Sequence, residues 1–494
     1  MTGAEVSTTR TYGNWRRESG FGIGRLGPAQ TITVFASVLV PILCVYISPS
    51  VALVAAPIAA LVLAAVLIRV GGQSLADVVA RSVRFTRARH AGWTELSGGM
   101  LTDHPRKHDL PGPLAPLVPL NVDDGRGGKQ GLLWDRRTGW LTAVIRVSPV
   151  GLDLADRSQA DAWVAAWGAW LADLGYQHLV RHIAVTVDTA PSGGTTLQDY
   201  VIDRIDPRAP EMARSVMSEL VESTPTTIAD VDTRVSITFD PTRAAPRPAD
   251  LLGAVTEVTR WLPGMESSLA MAGVAVLGRA SVEWLTGRLR IAFDPASRPE
   301  VARARNGAGS DLLLWSEAGP VRAQESWEAW RHDSGISVAW ALSEAPRQAV
   351  VDRVLTPLLA PGPFPRRVTL LYEPYSAGIA ATEVEREITN TQVRRAFAQR
   401  TRRDETQRER DDFARALQSA REEAEGAGVG KFCLYVSTTV GTEDLLPAAT
   451  ADVEQRAGQS KLRLRRLRGA QAAGFAAALG VGLNPAELAR RAFR

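Results

Sequence analysis

The sequence predicts an α+β protein: an N-terminal two-helix membrane hairpin, then a cytoplasmic body of strand-helix-strand modules with one long charged helical arm. Three observations predict it. Leu26 to Ile68 contains no charged residue and is interrupted by Ser48-Pro49-Ser50. Beyond it, short apolar runs of strand period alternate with segments of helical period. Finally, Ala377–Ala427 is highly charged, with no proline and no glycine between Gly378 and Gly426.

The uncharged run is about twice the ~20 residues that a helix needs to cross hydrocarbon. It predicts helices over Thr31–Ile47 and Val51–Ile68 joined by a tight turn. A soluble core helix keeps a polar stripe, and neither half has one. A cleaved signal sequence would have a shorter apolar core with no second apolar helix behind it. Pro41 and Pro57 lie inside the halves, where membrane helices tolerate proline. Arg10, Arg16, Arg17 and Arg25 precede the run; Arg69, Arg81, Arg84, Arg87 and Arg89 follow it; the turn is uncharged. Basic flanks stay cytoplasmic. The expectation is a two-pass protein of the inner (cell) membrane with both termini cytoplasmic, residues 1–30 forming a tail and 31–70 the hairpin. Ser74–His90 mixes arginines with Val78, Val79, Val83 and Phe85. It predicts an amphipathic helix suited either to anionic headgroups or to the surface of the body.

About 420 residues remain after the hairpin, enough for two or three cores. The formal net charge of +4 excludes a whole-chain polycation of the nucleic-acid-binding kind. Cys44 and Cys433, far apart, exclude a disulfide framework and a clustered zinc site. Residues 71–130 read as a juxtamembrane helix and a linker, the part from 91 onward being rich in Pro, Gly and Asp. Residues 131–305 read as a first α+β module. Trp140–Val147 is strand-like, Asp156–Leu174 helical, and Ile183–Val187 and Arg234–Phe239 strand-like. Ala249–Leu262 is again helical and Leu289–Phe293 strand-like. Residues 306–494 read as a second module, with strands at Ile336–Leu342 and Arg367–Tyr372 and a helix at Gln348–Leu359. This succession predicts ferredoxin-like layers, although no strict sequence repeat is visible.

Residues 377–427 predict one helix of about 70 Å or an antiparallel helical hairpin. Ile388, Val393, Phe397, Phe413 and Leu417 give it a thin apolar seam, fit for a partner or for its own domain.

No residue pattern announces chemistry, so no catalytic, cofactor-binding or metal-ligating residues are assigned. Gly125-Arg126-Gly127-Gly128-Lys129 fails the phosphate-loop spacing, since Gln130 stands where Ser or Thr is required. His104/His108 and His178/His182 are spaced by four, but a proline-flanked loop and a helix-to-strand transition give them no common helical face; both read as surface pairs. Trp163, Trp167 and Trp170 form a stripe read as core or as a partner face. The densest basic run, Lys461–Arg468, interleaves Leu462, Leu464 and Leu467 with Lys461, Arg463, Arg465, Arg466 and Arg468. It reads as a strand with a basic contact surface for lipid, protein or, less consistently with its lack of aromatics, nucleic acid.

Thr8-Thr9-Arg10-Thr11-Tyr12-Gly13-Asn14-Trp15 ahead of the hairpin resembles an actinobacterial family of conjugation or type IV secretion membrane proteins. Glu373-Pro374-Tyr375, the long charged segment, Phe432–Val440, the helix-like Thr442–Ala457 and Gly469–Phe475 are similar to the N-terminal, non-catalytic domain of conjugation-type secretion ATPases. The motor and its phosphate loop are missing. The resemblance therefore implies docking and assembly rather than hydrolysis, with no cofactor. It implies a non-enzymatic inner-membrane component of a conjugative or type IV-like secretion apparatus, oligomeric in the machine, whose platform docks a separate ATPase. A membrane component of a type VII system and a membrane-anchored enzyme with a dispersed site are the alternatives.

Overall fold

The computed structural model describes residues 12–13, 28–70, 73–99, 102–103, 105–125, 127–151, 155–191, 205–206, 208–223, 229–306, 313–346, 348–400, 414, 416–418, 420–422 and 426–492. Two apolar helices come first, α1 (Pro28–Ile47) and α2 (Pro49–Leu67), each long and apolar enough to cross a membrane. Ser48 alone separates them. The chain folds back on itself, because Gln30 Nε2 at the start of α1 donates to Asp77 Oδ2 at 3.1 Å, just beyond the end of α2. A two-residue ribbon, β1 (Arg69–Val70) with β2 (Gln73–Ser74), leads into α3 (Leu75–His90). The Ser74 hydroxyl caps α3 by accepting from Asp77 N at 3.2 Å.

The body follows in two stretches. The first contains β3 (Glu95–Ser97), β4 (Leu117–Asp123), β5 (Lys129–Asp135), β6 (Trp140–Pro149), α4 (Arg157–Asp173), β7 (Val180–Pro191), α5 (Glu211–Ser223), β8 (Ala229–Phe239), α6 (Leu251–Ala270), β9 (Val274–Arg279), α7 (Val282–Phe293) and α8 (Arg298–Asn306). The second contains β10 (Arg322–Glu325), β11 (Trp330–His332), β12 (Gly335–Glu344), the single-turn α9 (Thr356–Leu359), β13 (Arg366–Pro374), α10 (Ala377–Arg400), β14 (Gly430–Val440), α11 (Leu446–Gln459), β15 (Arg463–Arg466), α12 (Gln471–Ala478) and α13 (Pro485–Ala492).

Among the described residues, thirteen of these strands form one sheet in the order β3-β10-β11-β12-β14-β13-β7-β8-β6-β5-β4. In addition, β15 lies on β12 and β9 on β6. Every pairing is antiparallel. Apart from β3 the order is palindromic. A three-strand meander (β4-β5-β6 or β10-β11-β12) leads to a helix, two strands, a helix, a strand and a last helix, and the two series meet at β7 and β13. Their pairing is centred on Thr186 and Thr369, whose hydroxyls lie 3.0 Å apart.

Strand alternation sends side chains to two buried faces. From β6, Leu141, Ala143, Ile145 and Val147 meet α4 and α6 on one side, where Val258, Leu262 and Leu269 are fully buried at helical spacing. Val338, Trp340, Val368, Leu434 and Val436 continue that face under Val453 of α11. On the other side α7 contributes Trp284, Leu285, Leu289 and Phe293, and α12 contributes Phe475. Each such side chain contributes about 1.5–3 kcal/mol by leaving water.

Several elements differ from expectation. Leu289–Phe293, expected as a strand, is the last turn of α7. That helix is buried on nearly every side, so its sequence lacks an amphipathic stripe. Residues 91–130, expected as linker and loops, supply β3, β4 and the start of β5. Pro119 sits in β4, and β4 is the terminal strand of the sheet, where proline forfeits no ladder bond. The expected helix Gln348–Leu359 is reduced to a 3₁₀ turn at Asp352–Leu355 and α9, and Val350 instead bridges to Tyr12 through two 2.7 Å bonds. In the arm, α10 starts after β13, and helical residues recur at 416–418 and 420–422. The bases of the arm are joined by Tyr375 N donating to Val429 O at 2.9 Å, and β13 pairs in register with β14 up to Pro374↔Gly430. The two ends of the arm therefore lie side by side, while residues 401–413, on which the choice between one helix and a helical hairpin turns, lie outside the described residues.

Candidate functional site

The middle of the predicted basic run Lys461–Arg468 becomes β15, on the edge of β12 (Trp340↔Arg466, Ala341↔Arg465, Glu344↔Arg463). The period of two divides its cations. Leu464 joins the core, and Arg466 lies over the Trp340 ring at 5.7 Å. Arg466 and Arg468 both bind Glu328, at 2.7 and 2.9 Å, so one carboxylate serves both. Lys461 and Arg463 are exposed. Arg465 turns to the opposite face, which alternation also gives Arg463, and lies beside Cys433 and Tyr435. The five residues thus form no single free patch.

The opposite face carries α3. Phe85 packs edge-on against Trp327 with ring centroids 5.4 Å apart, and Trp327 in turn fills the space over Gly469, just past β15. One turn before Phe85 is Arg81, half-buried and near enough for its charge to act on Arg465. Burial, then the neighbouring Arg81 charge, pushes the Arg465 guanidinium below its ordinary value. The exposed side of α3 bears Val79, Val83, Arg84, Arg87, Arg89 and His90. The helix thus joins the foot of the α1–α2 hairpin to the basic strand. The two basic segments lie far apart in sequence; the signal that links them is Phe85, an aromatic residue four positions from Arg81 on the side that packs.

A second charged array was not anticipated. Asp188, Asp232, Arg234 and Arg367 lie on adjacent strands of one face, with Arg288 above them from α7. Arg367 binds Asp188 at 2.9 Å; Arg234 and Arg288 bind Asp232 at 2.6 and 2.9 Å. Burial works to raise the Asp188 carboxyl, but Arg367, Arg234 and Arg288 outweigh it and hold it at about 2. A carboxylate so saturated with cations is a poor proton acceptor at neutral pH. Charges at alternate positions inside apolar strands were the available sequence signal.

A strap formed by residues 478–484 crosses this array. Thr369 Oγ1 donates to Ala478 O at 2.5 Å, Arg234 donates to Leu479 O at 3.0 Å, and Ser236 Oγ donates to Gly480 O. Gly480 and Gly482 have positive φ (+66° and +86°) and lie directly on Thr186 and Thr142. The strap begins at α12 of the second series and ends over β6 of the first, stapling the two together.

The remaining candidates separate. His182 is fully buried in β7, contrary to its reading as a surface residue, while His178 meets the Trp261 ring edge-on at 5.8 Å. His332, likewise buried, is held by Phe293 O at 2.5 Å and Ser337 Oγ at 2.7 Å. Burial holds both imidazoles at about 4, hence neutral at physiological pH. Of the first pair, His104 lies outside the described residues. Among the described residues no group of three or more His, Cys, Asp or Glu is placed to hold a metal ion. Gly125, Gly127 and Gly128 form the turn between β4 and β5, where Asp123 and Asp124 accept from Gly125 N (2.8 Å) and Gly128 N (2.9 Å). The tryptophan stripe is core: Trp170 is buried, Trp167 stacks on it at 4.9 Å, and Trp163 covers Gly273.

Residues 20–77 match a family model described as a domain of unknown function (DUF8461). The match takes in α1, α2 and the first turn of α3 and leaves out the sheet. No curated protein matches the chain in sequence.

Proposed function

We propose that this protein is a non-enzymatic, two-pass component of the inner membrane that holds a docking platform at its cytoplasmic face. The observation that carries this reading is the outward aspect of α1 and α2. Ile32, Phe35, Leu53 and Leu61 are 68%, 60%, 79% and 71% exposed, and so are most of the other large apolar side chains of the pair, with Val66 buried. Left in water, each would forgo the roughly 1.5–3 kcal/mol of burial; hydrocarbon covers them without a protein partner. The arginines of α3 stand at the foot of the pair, where headgroup phosphates lie. The uncharged turn at Ser48–Ser50 supports a hairpin with both termini cytoplasmic.

The platform is the paired body. The connections β6-α4-β7-β8-α6-β9 with sheet order β9-β6-β8-β7, and β12-α9-β13-β14-α11-β15 with order β15-β12-β14-β13, support two ferredoxin-like modules. Each sends an insertion out between its middle strands. The first insertion contains α5, whose Met212, Val216 and Met217 are exposed; the second is the α10 arm. These are the faces offered to other subunits of a conjugative or type IV-like secretion machine, a separate ATPase among them. Detergent purification of the tagged protein from its native host should recover such an ATPase, and deletion should abolish DNA transfer. Recovery of the protein alone, with transfer intact, would refute the assignment.

A further inference from the structure

We infer that Tyr12, in the tail ahead of α1, is the catch of an intrachain latch that fastens the second module to the hairpin by a second route, an inference that rests on the membrane-anchoring reading above. Tyr12 N donates to Val350 O and Val350 N donates to Tyr12 O, both at 2.7 Å, the reciprocal pair of an antiparallel bridge. A Cβ placed on the neighbouring Gly13 would lie 3.6 Å from Ala349 Cβ, so the two segments run side by side in van der Waals contact. Val350 is 3% exposed, and Tyr12 is half-buried with its phenolic oxygen shielded from solvent. Val350 lies in the connection from β12 to α9, whose Leu358 is packed in the core of the second module. The receiving point is thus rooted in the body.

Chain order gives the contact its meaning. Tyr12 precedes the hairpin and Val350 follows it, so the bridge requires both hairpin feet on one side of the membrane. The feet are themselves joined, Gln30 of α1 donating to Asp77 of α3 at 3.1 Å. From the second foot the chain grips the body through Phe85 against Trp327 and through β3 against β10. From the first foot it grips through Tyr12. The fifteen steps from Gly13 to Pro28 reach at most about 50 Å, so a closed bridge keeps Val350 within that distance of the foot of α1. The two routes are unequal: β3 pairs three residues with β10, and the tail pairs one with the body. The bridge is therefore the one that opens first. Closed, it holds the second module between two tethers; open, it leaves α3 as the single pivot between body and membrane.

The test uses the full-length protein in native membranes, carrying Cys44→Ala and Cys433→Ala, with Gly13→Cys and Ala349→Cys added before mild oxidation. A Cβ separation of 3.6 Å suits a disulfide. Most of the chain should link, read as loss of maleimide-reactive thiol and as the linked peptide in mass spectrometry. Gly13→Cys with Arg137→Cys, on an exposed turn of the first series several strands away, should link about tenfold less, since no contact raises the local concentration of the two thiols. Equal linking of the two pairs, or none at Ala349, overturns the latch. Amide exchange reads the bridge without cysteines. Tyr12→Pro removes the N–H donated to Val350 O and leaves the sequence of the body intact. The Val350 amide should then exchange about tenfold faster than in the wild type, and Tyr12→Phe, which keeps the backbone donor, should exchange like the wild type. Equal exchange in Tyr12→Pro and the wild type overturns the latch. Carbonate washing of membranes reports the anchor independently. A chain that stays in the pellet without linking overturns the latch alone. One that is extracted yet links keeps the bridge and overturns the anchor, and with it the tethering role.

Discussion

Gly480→Ala should weaken the body by about 3–5 kcal/mol. A Cβ at Gly480 would sit 2.1 Å from Thr186 Oγ1, far inside contact distance, and φ is +66°. The left-handed conformation costs an alanine about 1–2 kcal/mol. Thr186 cannot yield freely, because its hydroxyl is 3.0 Å from that of Thr369, which itself holds Ala478 O. Displacing the strap strands buried donors on Thr369, Ser236 and Arg234, and one or two such losses cost about 1–3 kcal/mol each. At about 2 cal/mol/K per residue, a cooperative unit of several hundred residues loses roughly 1 °C per kcal/mol, so the expected shift is about 3–5 °C. Thermal unfolding in detergent, followed by near-ultraviolet circular dichroism, measures it. Gly168→Ala is the control: it lies inside α4, without positive φ and with no atom near its would-be Cβ, and should leave the midpoint unchanged or raise it slightly. A Gly480→Ala midpoint no lower than that of Gly168→Ala would refute the strap as a staple.

Acid should act through the two buried imidazoles. His182 and His332 are held at about 4 in the fold against an ordinary 6.5. Between those values the unfolded chain binds more protons, so stability is complete above pH 6.5 and falls as pH drops toward 4, by up to about 3 kcal/mol per imidazole. Urea midpoints from pH 7.5 to 4.5 should show this slope, and His332→Gln should reduce it; a flat profile would contradict the assignment. Asp188→Asn should cost about 3–5 kcal/mol, since it leaves Arg367 and Arg234 buried against less charge; an unfolding midpoint equal to wild type would show the array to be dispensable. Glu328→Gln should change stability by less than about 1 kcal/mol, since the acid is half exposed. It should nevertheless release Arg466 and Arg468 and tighten binding to heparin with a steeper salt dependence; unchanged elution from a heparin column would count against it.

The parts legible in the sequence were those with a strong period. Trp140–Val147, Asp156–Leu174, Arg234–Phe239, Arg367–Tyr372 and Phe432–Val440 all stand within a few residues of their expected bounds. The Leu26–Ile68 run likewise yields two helices long and apolar enough for a membrane. What escaped had no period to offer. α7 is buried all round, β4 is an edge strand carrying a proline, and α9 keeps only one turn of the helix expected there. The palindromic strand order escaped for a related reason: a topology constrains where apolar residues alternate but not which ones, so α4 and α9 can occupy equivalent places with no shared residues. Pairings such as Phe85 with Trp327, or the strap with Thr186, depend on contacts between distant segments that no local pattern encodes.

The antiparallel sheet also works as a boom. Ten inter-strand steps separate β3, next in the chain after α3, from β4 at the far edge, and at about 4.8 Å per step they span roughly 48 Å. The α10 arm is inserted between β13 and β14, near the middle of that length. A push on the arm is therefore delivered to a midpoint braced on both sides by continuous hydrogen-bonded ladders. With the foot held as in the membrane-anchored reading proposed above, it would tilt the whole boom rather than bend it locally, turning a small displacement at the arm into a larger sweep at the β4 tip.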